Sequence, residues 1–118
     1  MRHPLIAITF IALLLSLIAC GPKPWDEPPL HAAAMSGDLE EVKTLISQGT
    51  KVDSRNKQGA TPLHWAAFKG HVDVAQYLVK KGANVNAVTD KGSTPLRLAT
   101  THKQQEMIQF LKRKGGKI

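Results

Sequence analysis

The stretch TPLHWAAFKG, Thr61–Gly70, decides how this 118-residue chain folds, because the chain contains it in three versions. It returns as TPLRLATTHK from Thr94, and it stands earlier as PPLHAAAMSG from Pro28, so that the step from Pro28 to Thr61 equals the step from Thr61 to Thr94. A fixed period of this kind indicates stacked repeats, since one helix pair cannot bury its apolar face alone. The sequence therefore predicts a helical solenoid in which each unit needs its neighbour.

The central copy predicts two helices in each unit. Thr61 can cap the first helix, and Pro62 suits the first helical position, where no backbone donor is needed. Gly70 ends that helix. A second helix is predicted over Val72–Lys81, because apolar residues recur there at helical spacing and Gly82 follows as a left-handed cap.

The motif T-P-L-H-x-A-A and its return after about 33 residues resemble the pattern of the ankyrin-repeat family. The resemblance covers Pro28–Ile118 and implies an all-α solenoid of about three helix-turn-helix repeats. The predicted repeats are residues 28–60, 61–93 and 94–118. The last repeat carries Gln105 and Lys112 where its predecessors are apolar, and a polar outer face of this kind is typical of a terminal repeat.

The N-terminus predicts export. Arg2 precedes the apolar run Leu5–Ala19, which is short for a permanent spanning helix and typical of a secretory signal. Leu17–Cys20, LIAC, resembles the lipobox of bacterial lipoproteins. That resemblance implies cleavage of residues 1–19, acylation of Cys20 and a Pro-rich tether over residues 20–27. The alternative is an uncleaved anchor or a cysteine that stands in an apolar run by chance.

The resemblance to lipoproteins also implies a location. It places the chain in the cell envelope, lipid-anchored and facing the periplasm or the exterior. Gly21 favours the outer membrane if the source is a diderm bacterium. The single cysteine of the chain excludes an internal disulfide.

The charge favours an anionic partner. Lys and Arg number 16 against nine Asp and Glu, which gives a formal net charge of +7. An acidic protein or a membrane surface fits this excess. Nucleic acid is not expected, because an exported domain meets little of it.

The histidines do not predict an enzyme or a metal site. His31 and His64 occupy the same position in successive repeats, roughly 10 Å apart, which is too far for one zinc ion. The family resemblance implies that they bond backbone and a threonine hydroxyl. The sequence has no Cys/His cluster, phosphate-cradling loop, nucleophile elbow or paired carboxylates. We therefore expect no catalysis, no metal and no cofactor, and a monomeric chain.

The same resemblance implies that a partner docks on the concave face, which is formed by the hairpin tips and the first helix of each repeat. By position, this face holds Lys57, Gln58, Trp65, Phe68, Lys69, Lys91 and His102. Exposed aromatics among cations are typical interface anchors. Trp65 has an alternative role, packing against Ala32 and Leu98, its counterparts one repeat away. Phe68 is the stronger candidate for an exposed contact.

Two classes of function follow. The first is a membrane-tethered module that holds an acidic protein partner, for example as an inhibitor or an immunity protein that neutralises a toxin. The second is a structural or stress-tolerance lipoprotein of the envelope that contacts anionic lipid or cell-wall polymer. Capture of a protein partner would favour the first, whereas binding to lipid or wall without one would favour the second.

Overall fold

The computed structural model describes residues 27–118, and that part of the chain contains six helices and no strand. The helices are α1 (Pro29–Ser36), α2 (Leu39–Ser47), α3 (Pro62–Lys69), α4 (Val72–Lys80), α5 (Pro95–Thr101) and α6 (Gln105–Arg113). Helix α4 ends one residue before its predicted end, with Lys81 as its C-cap. The predicted signal segment, Cys20 and all of the tether before Glu27 lie outside the described residues.

The helices stack in two layers, as the repeat pattern predicts. In the inner layer α1 packs on α3 and α3 packs on α5; in the outer layer α2 packs on α4 and α4 packs on α6. Each inner helix also packs on the outer helix that follows it. The predicted all-α solenoid is therefore confirmed. Within residues 27–118, no helix has the length and apolarity needed to cross a bilayer.

The core runs as a continuous stripe through the three units. Leu30 and Leu63 are fully buried at equivalent positions, and Leu96 follows with 3% of its surface exposed. Full burial of one such side chain contributes about 1.5–3 kcal/mol. Alanines on the inner helices, including Ala66 and Ala67, are also fully buried. Their small size lets neighbouring inner helices approach closely.

Hydrogen bonds between successive loops hold the units in register. The Asp53 carboxylate accepts from the Asn84 N–H at 3.1 Å, about one period along the chain. One repeat later, the Asn86 side chain donates to the Gly115 carbonyl at 3.2 Å and accepts from the Lys117 N–H at 2.8 Å. Loops that carry no regular structure of their own therefore link each repeat to the next.

The turn between the helices of a repeat depends on glycine. Gly37 has φ +78°, and a Cβ added there would lie 2.7 Å from the His71 ring of the next repeat. The His71 Nε2–H donates to the Met35 carbonyl at 3.1 Å, which holds the ring in that place. Gln104 lies over Gly70 in the same way. Glycine is required here for its backbone conformation and for the close approach of the following repeat.

The third unit departs from this pattern. Lys103 occupies the equivalent turn position with φ +55°, and it is the described non-glycine residue with a positive φ. Within residues 27–118 no helix packs beyond α6, so no side chain covers this turn. Gln105 and Lys112 are exposed, in agreement with the predicted terminal face.

Candidate binding face

The inner helices that form the face are held in place by the histidine of the repeat motif. In the central repeat, the Thr61 N–H and Oγ1–H both donate to the Nδ1 lone pair of His64, at 3.0 and 2.9 Å. Its Nε2–H donates to the Ser93 carbonyl at 2.9 Å. The ring therefore joins the start of α3 to the loop before α5. Burial lowers the pKa of His64, so the ring is neutral at pH 7.

The first repeat has the histidine without its partner. The Nε2–H of His31 donates to the Ala60 carbonyl at 2.8 Å. Its Nδ1 atom is buried with no hydrogen-bond partner, because position 28 is Pro28, which has neither an N–H nor a hydroxyl. The expectation that both histidines bond a threonine hydroxyl is right for His64 and wrong for His31.

The third repeat has the threonine without the histidine. Arg97 stands at the histidine position, and its N–H donates to Thr94 Oγ1 at 3.1 Å. The Thr94 hydroxyl donates to the Lys117 carbonyl at 2.6 Å, which fastens the C-terminal segment to the start of α5. The central repeat is thus the one among the three that contains the whole network.

Four of the predicted partner-binding residues form one group, which we call the concave aromatic cluster: Trp65, Phe68, Lys69 and His102. Phe68 lies at its centre. The Trp65 ring meets it edge-on with centroids 5.7 Å apart, and the His102 ring lies 4.1 Å away at a tilt of 55°. The Lys69 ammonium lies 5.4 Å from the Phe68 ring centroid. The cluster therefore spans α3 and the end of α5.

The side chains of the cluster differ in exposure. Trp65 and Phe68 are half-buried, whereas Lys69 and His102 are exposed. Trp65 packs partly against the core, and its Nε1–H is buried without an acceptor. Packing of Trp65 against the core is therefore observed, and its role as a partner contact stays a prediction. The His102 Nδ1–H donates to the Leu98 carbonyl at 2.9 Å, which leaves Nε2 as its second polar atom.

The three remaining predicted residues lie on the connecting loops. Lys57, Gln58 and Lys91 are all exposed. The two loops are joined where the Asp90 N–H donates to the Gln58 carbonyl at 3.0 Å. No hydrogen bond or ring contact among residues 27–118 connects these loop residues to the concave aromatic cluster, so the face has a preformed aromatic part and a separate cationic tip.

Positive charge increases along the solenoid. Residues 28–60 contain four Lys or Arg and four Asp or Glu, residues 61–93 contain four and two, and residues 94–118 contain six and one. In the described part of the chain, the ion pair that forms is Lys43 with Glu40, at 3.8 Å. Within residues 27–118 the lysines of the face form no salt bridge, so their charge is available to a partner.

The described residues contain no group of three His, Cys, Asp or Glu side chains that could hold a metal ion. Backbone carbonyls engage the buried His31 and His64, through Ala60 and Ser93, and the half-buried His71, through Met35. What the face offers chemically is aromatic surface and cationic donors.

The contact between His102 and Phe68 is the feature of the face that sequence reasoning missed. The two residues lie on different repeats, and His102 is the counterpart of Lys69 rather than of Phe68. The available signal was the repeat register, which places the end of each inner helix beside the end of the next.

Comparison with known proteins agrees with this architecture. A family model described as ankyrin repeats, in three copies, matches the chain over residues 8–89 and 30–118. No curated protein matches the chain.

Proposed function

The chain belongs to the ankyrin-repeat family and is a protein–protein interaction module, and we propose that the concave aromatic cluster is the centre of its partner site. The observation that carries this proposal is the arrangement around Phe68. The rings of Trp65 and His102 and the ammonium of Lys69 lie around the Phe68 side chain, which remains partly exposed. An anchor held in this way loses little conformational freedom when a partner covers it.

The expected partner is an acidic protein. Lys69 is part of the cluster, and Lys57 and Lys91 extend the cationic surface along the loops. Complementary charge of this kind accelerates encounter and suppresses wrong partners more than it raises affinity. A protein that is inhibited or neutralised at the membrane, such as a secreted toxin or hydrolase, would fit this role.

The proposed tether is the acylated Cys20. The support is the sequence LIAC after a short apolar run, followed by a Pro-rich segment. Three acyl chains, as the lipoprotein resemblance implies, would hold the chain firmly, because one chain alone binds a bilayer only reversibly. Metabolic labelling with a palmitate analogue tests this. Label retained in Cys20→Ala would refute it.

The partner site is tested in two steps. Cross-linking in intact envelopes captures the partner, and the affinity of the full chain for it is then measured. We expect Phe68→Ala to weaken binding at least about thirtyfold, since a buried aromatic anchor contributes about 2 kcal/mol or more. Gln109→Ala, an exposed change on outer helix α6, is the matched control. Unchanged affinity in Phe68→Ala, together with loss in the control, would place the site on the other layer.

A second candidate function rests on the charge distribution. The third repeat has six cations and one carboxylate, a composition that suits contact with anionic lipid or cell-wall polymer. A structural envelope protein of this type would bind lipid or wall preparations and yield no specific protein in the cross-linking experiment.

A further inference from the structure

The outer layer contains a cavity of about 520 Å³ between helices α4 and α6, which we call the outer groove. It is lined by Gln76, Val79, Lys80, Phe110, Arg113 and Lys114. Val79 supplies accessible apolar surface above the buried Phe110, and the three cations supply the charge. The residues of the concave aromatic cluster are not among those that line it, so the groove is a separate feature.

The positive charge of the outer groove is not balanced by the carboxylates of α4 and α6. Lys80 lies in the last turn of α4, and Arg113 lies in the last turn of α6. The carboxylates of these helices, Asp73 and Glu106, lie in the first turns, roughly 10 Å away along the axes. Last-turn cations stabilise a helix through its dipole. That effect does not require the cations of two helices to surround one cavity.

The gap between α2 and α4 provides an internal comparison, because it is built from the same repeat positions. Tyr77 is the counterpart of Phe110 there, and its ring lies 5.7 Å from the Lys43 ammonium and 5.5 Å from that of Lys81. The cations of that gap therefore contact an aromatic ring. In the outer groove, Phe110 has only 3% of its surface exposed and offers the cations little contact area.

We propose that the outer groove binds a phosphomonoester. The planar guanidinium of Arg113 matches two phosphate oxygens, and Lys80 and Lys114 supply two further charges to a dianion. Val79, which is partly exposed, faces the carbon part of the ligand. The cavity volume lies within the usual range of small-molecule sites, about 300–1,000 Å³. Soluble phosphate esters and anionic lipid headgroups share this chemistry. The proposal does not depend on the proposed function, because it concerns the opposite layer.

The test uses the full chain in non-ionic detergent micelles and follows backbone amide resonances of residues 76–80 and 110–114. One arm adds glycerol 3-phosphate, and a second arm adds phosphatidic acid to the micelles. We expect saturable shifts confined to these two segments, and none with potassium chloride at equal ionic strength. The arm with tighter binding identifies the source of the phosphate group.

A charge-neutral variant provides the decisive comparison. Arg113→Gln with Lys114→Gln should weaken phosphate binding at least tenfold, whereas Lys43→Gln with Lys51→Gln should leave it unchanged. The phosphate proposal would be overturned by equal weakening in both pairs, by shifts that chloride reproduces, or by tighter binding of a poly-glutamate peptide than of glycerol 3-phosphate. Helical circular dichroism confirms that each variant is folded.

Discussion

His31 and His64 occupy the same position in neighbouring repeats, yet only His64 has both ring nitrogens engaged. The Nδ1 of His64 accepts two hydrogen bonds from Thr61, whereas the Nδ1 of His31 has no donor, since Pro28 stands at the threonine position. Both rings donate from Nε2 to a carbonyl just before the next repeat. The histidine therefore always links a repeat to its successor, and the threonine determines how firmly the ring is fixed within its own repeat.

The difference teaches what each residue of the motif contributes. A buried acceptor without a donor costs about 1–3 kcal/mol, so the first repeat carries a defect that the central repeat lacks. The central repeat also has neighbours on both sides. It is the unit on which the integrity of the array, and hence the shape of the concave face, depends most.

The largest loss of stability is expected from removing the imidazole ring of His64 or His31. His64→Ala leaves the Thr61 donors and the Ser93 carbonyl without partners and should cost about 3–4 kcal/mol, a large part of the 5–15 kcal/mol typical of a whole domain. His31→Ala leaves one carbonyl unpaired and should cost about 2 kcal/mol. Urea denaturation of the full chain measures both free energies of unfolding. Equal losses would show that the Thr61 network contributes nothing.

The next effect is a pH dependence of stability, smaller because the ring remains in place. Burial lowers the pKa of both His31 and His64 below the ordinary 6.5, so the unfolded chain binds protons more readily. The stability that the neutral rings contribute should be fully present above pH 6.5 and should fall as the pH drops through that value. His64 should contribute more, since a proton on its Nδ1 opposes the Thr61 N–H, whereas Glu27 partly supports a charged His31.

Thermal unfolding midpoints between pH 8 and pH 5 measure this dependence. His64→Gln should flatten the profile more than His31→Gln, and His102→Gln at an exposed ring is the control. If His64→Gln left the profile unaltered, the pH dependence would not come from His64.

The smallest effect sharpens the comparison by repairing the first repeat. Pro28→Thr restores the N–H and the hydroxyl that His31 lacks and should stabilise the chain by about 1 kcal/mol. The Pro at the following position keeps α1 starting where it does. The same substitution in a His31→Ala background should give no gain, and a gain that persists there would assign the effect to helix capping instead.

The sequence predicted the fold well because the repeat period constrains it at many positions at once. The constant repeat step predicted the helices and the glycine turns. Departures from it predicted the polar outer face of the third repeat. The sequence also shows that His31 lacks a threonine partner, since Pro28 occupies the position of Thr61 and Thr94. The unpaired Nδ1 of His31 was not predicted, because a family resemblance assigns a role to a residue without testing whether its hydrogen-bond partner is present.

The site was less predictable because its contacts cross between repeats. The family resemblance placed Trp65 and Phe68 on the concave face, but the position of His102 against Phe68 depends on how the ends of α3 and α5 align. The outer groove was not predicted at all. Phe110 is buried at a position where Tyr77 is only half-buried, and periodicity alone does not reveal this difference.

Lys103 has a consequence for how such an array could grow. A unit inserted after Ser93 as a copy of residues 61–93 would meet compatible junctions on both sides, since the copied His71 would lie over Gly70 and Gln104 would lie over the copied glycine. A unit appended behind α6 would instead meet the side chain at position 103. Insertion of a repeat inside the array therefore needs no change at the junctions, whereas addition behind α6 is favoured by replacing Lys103 with glycine.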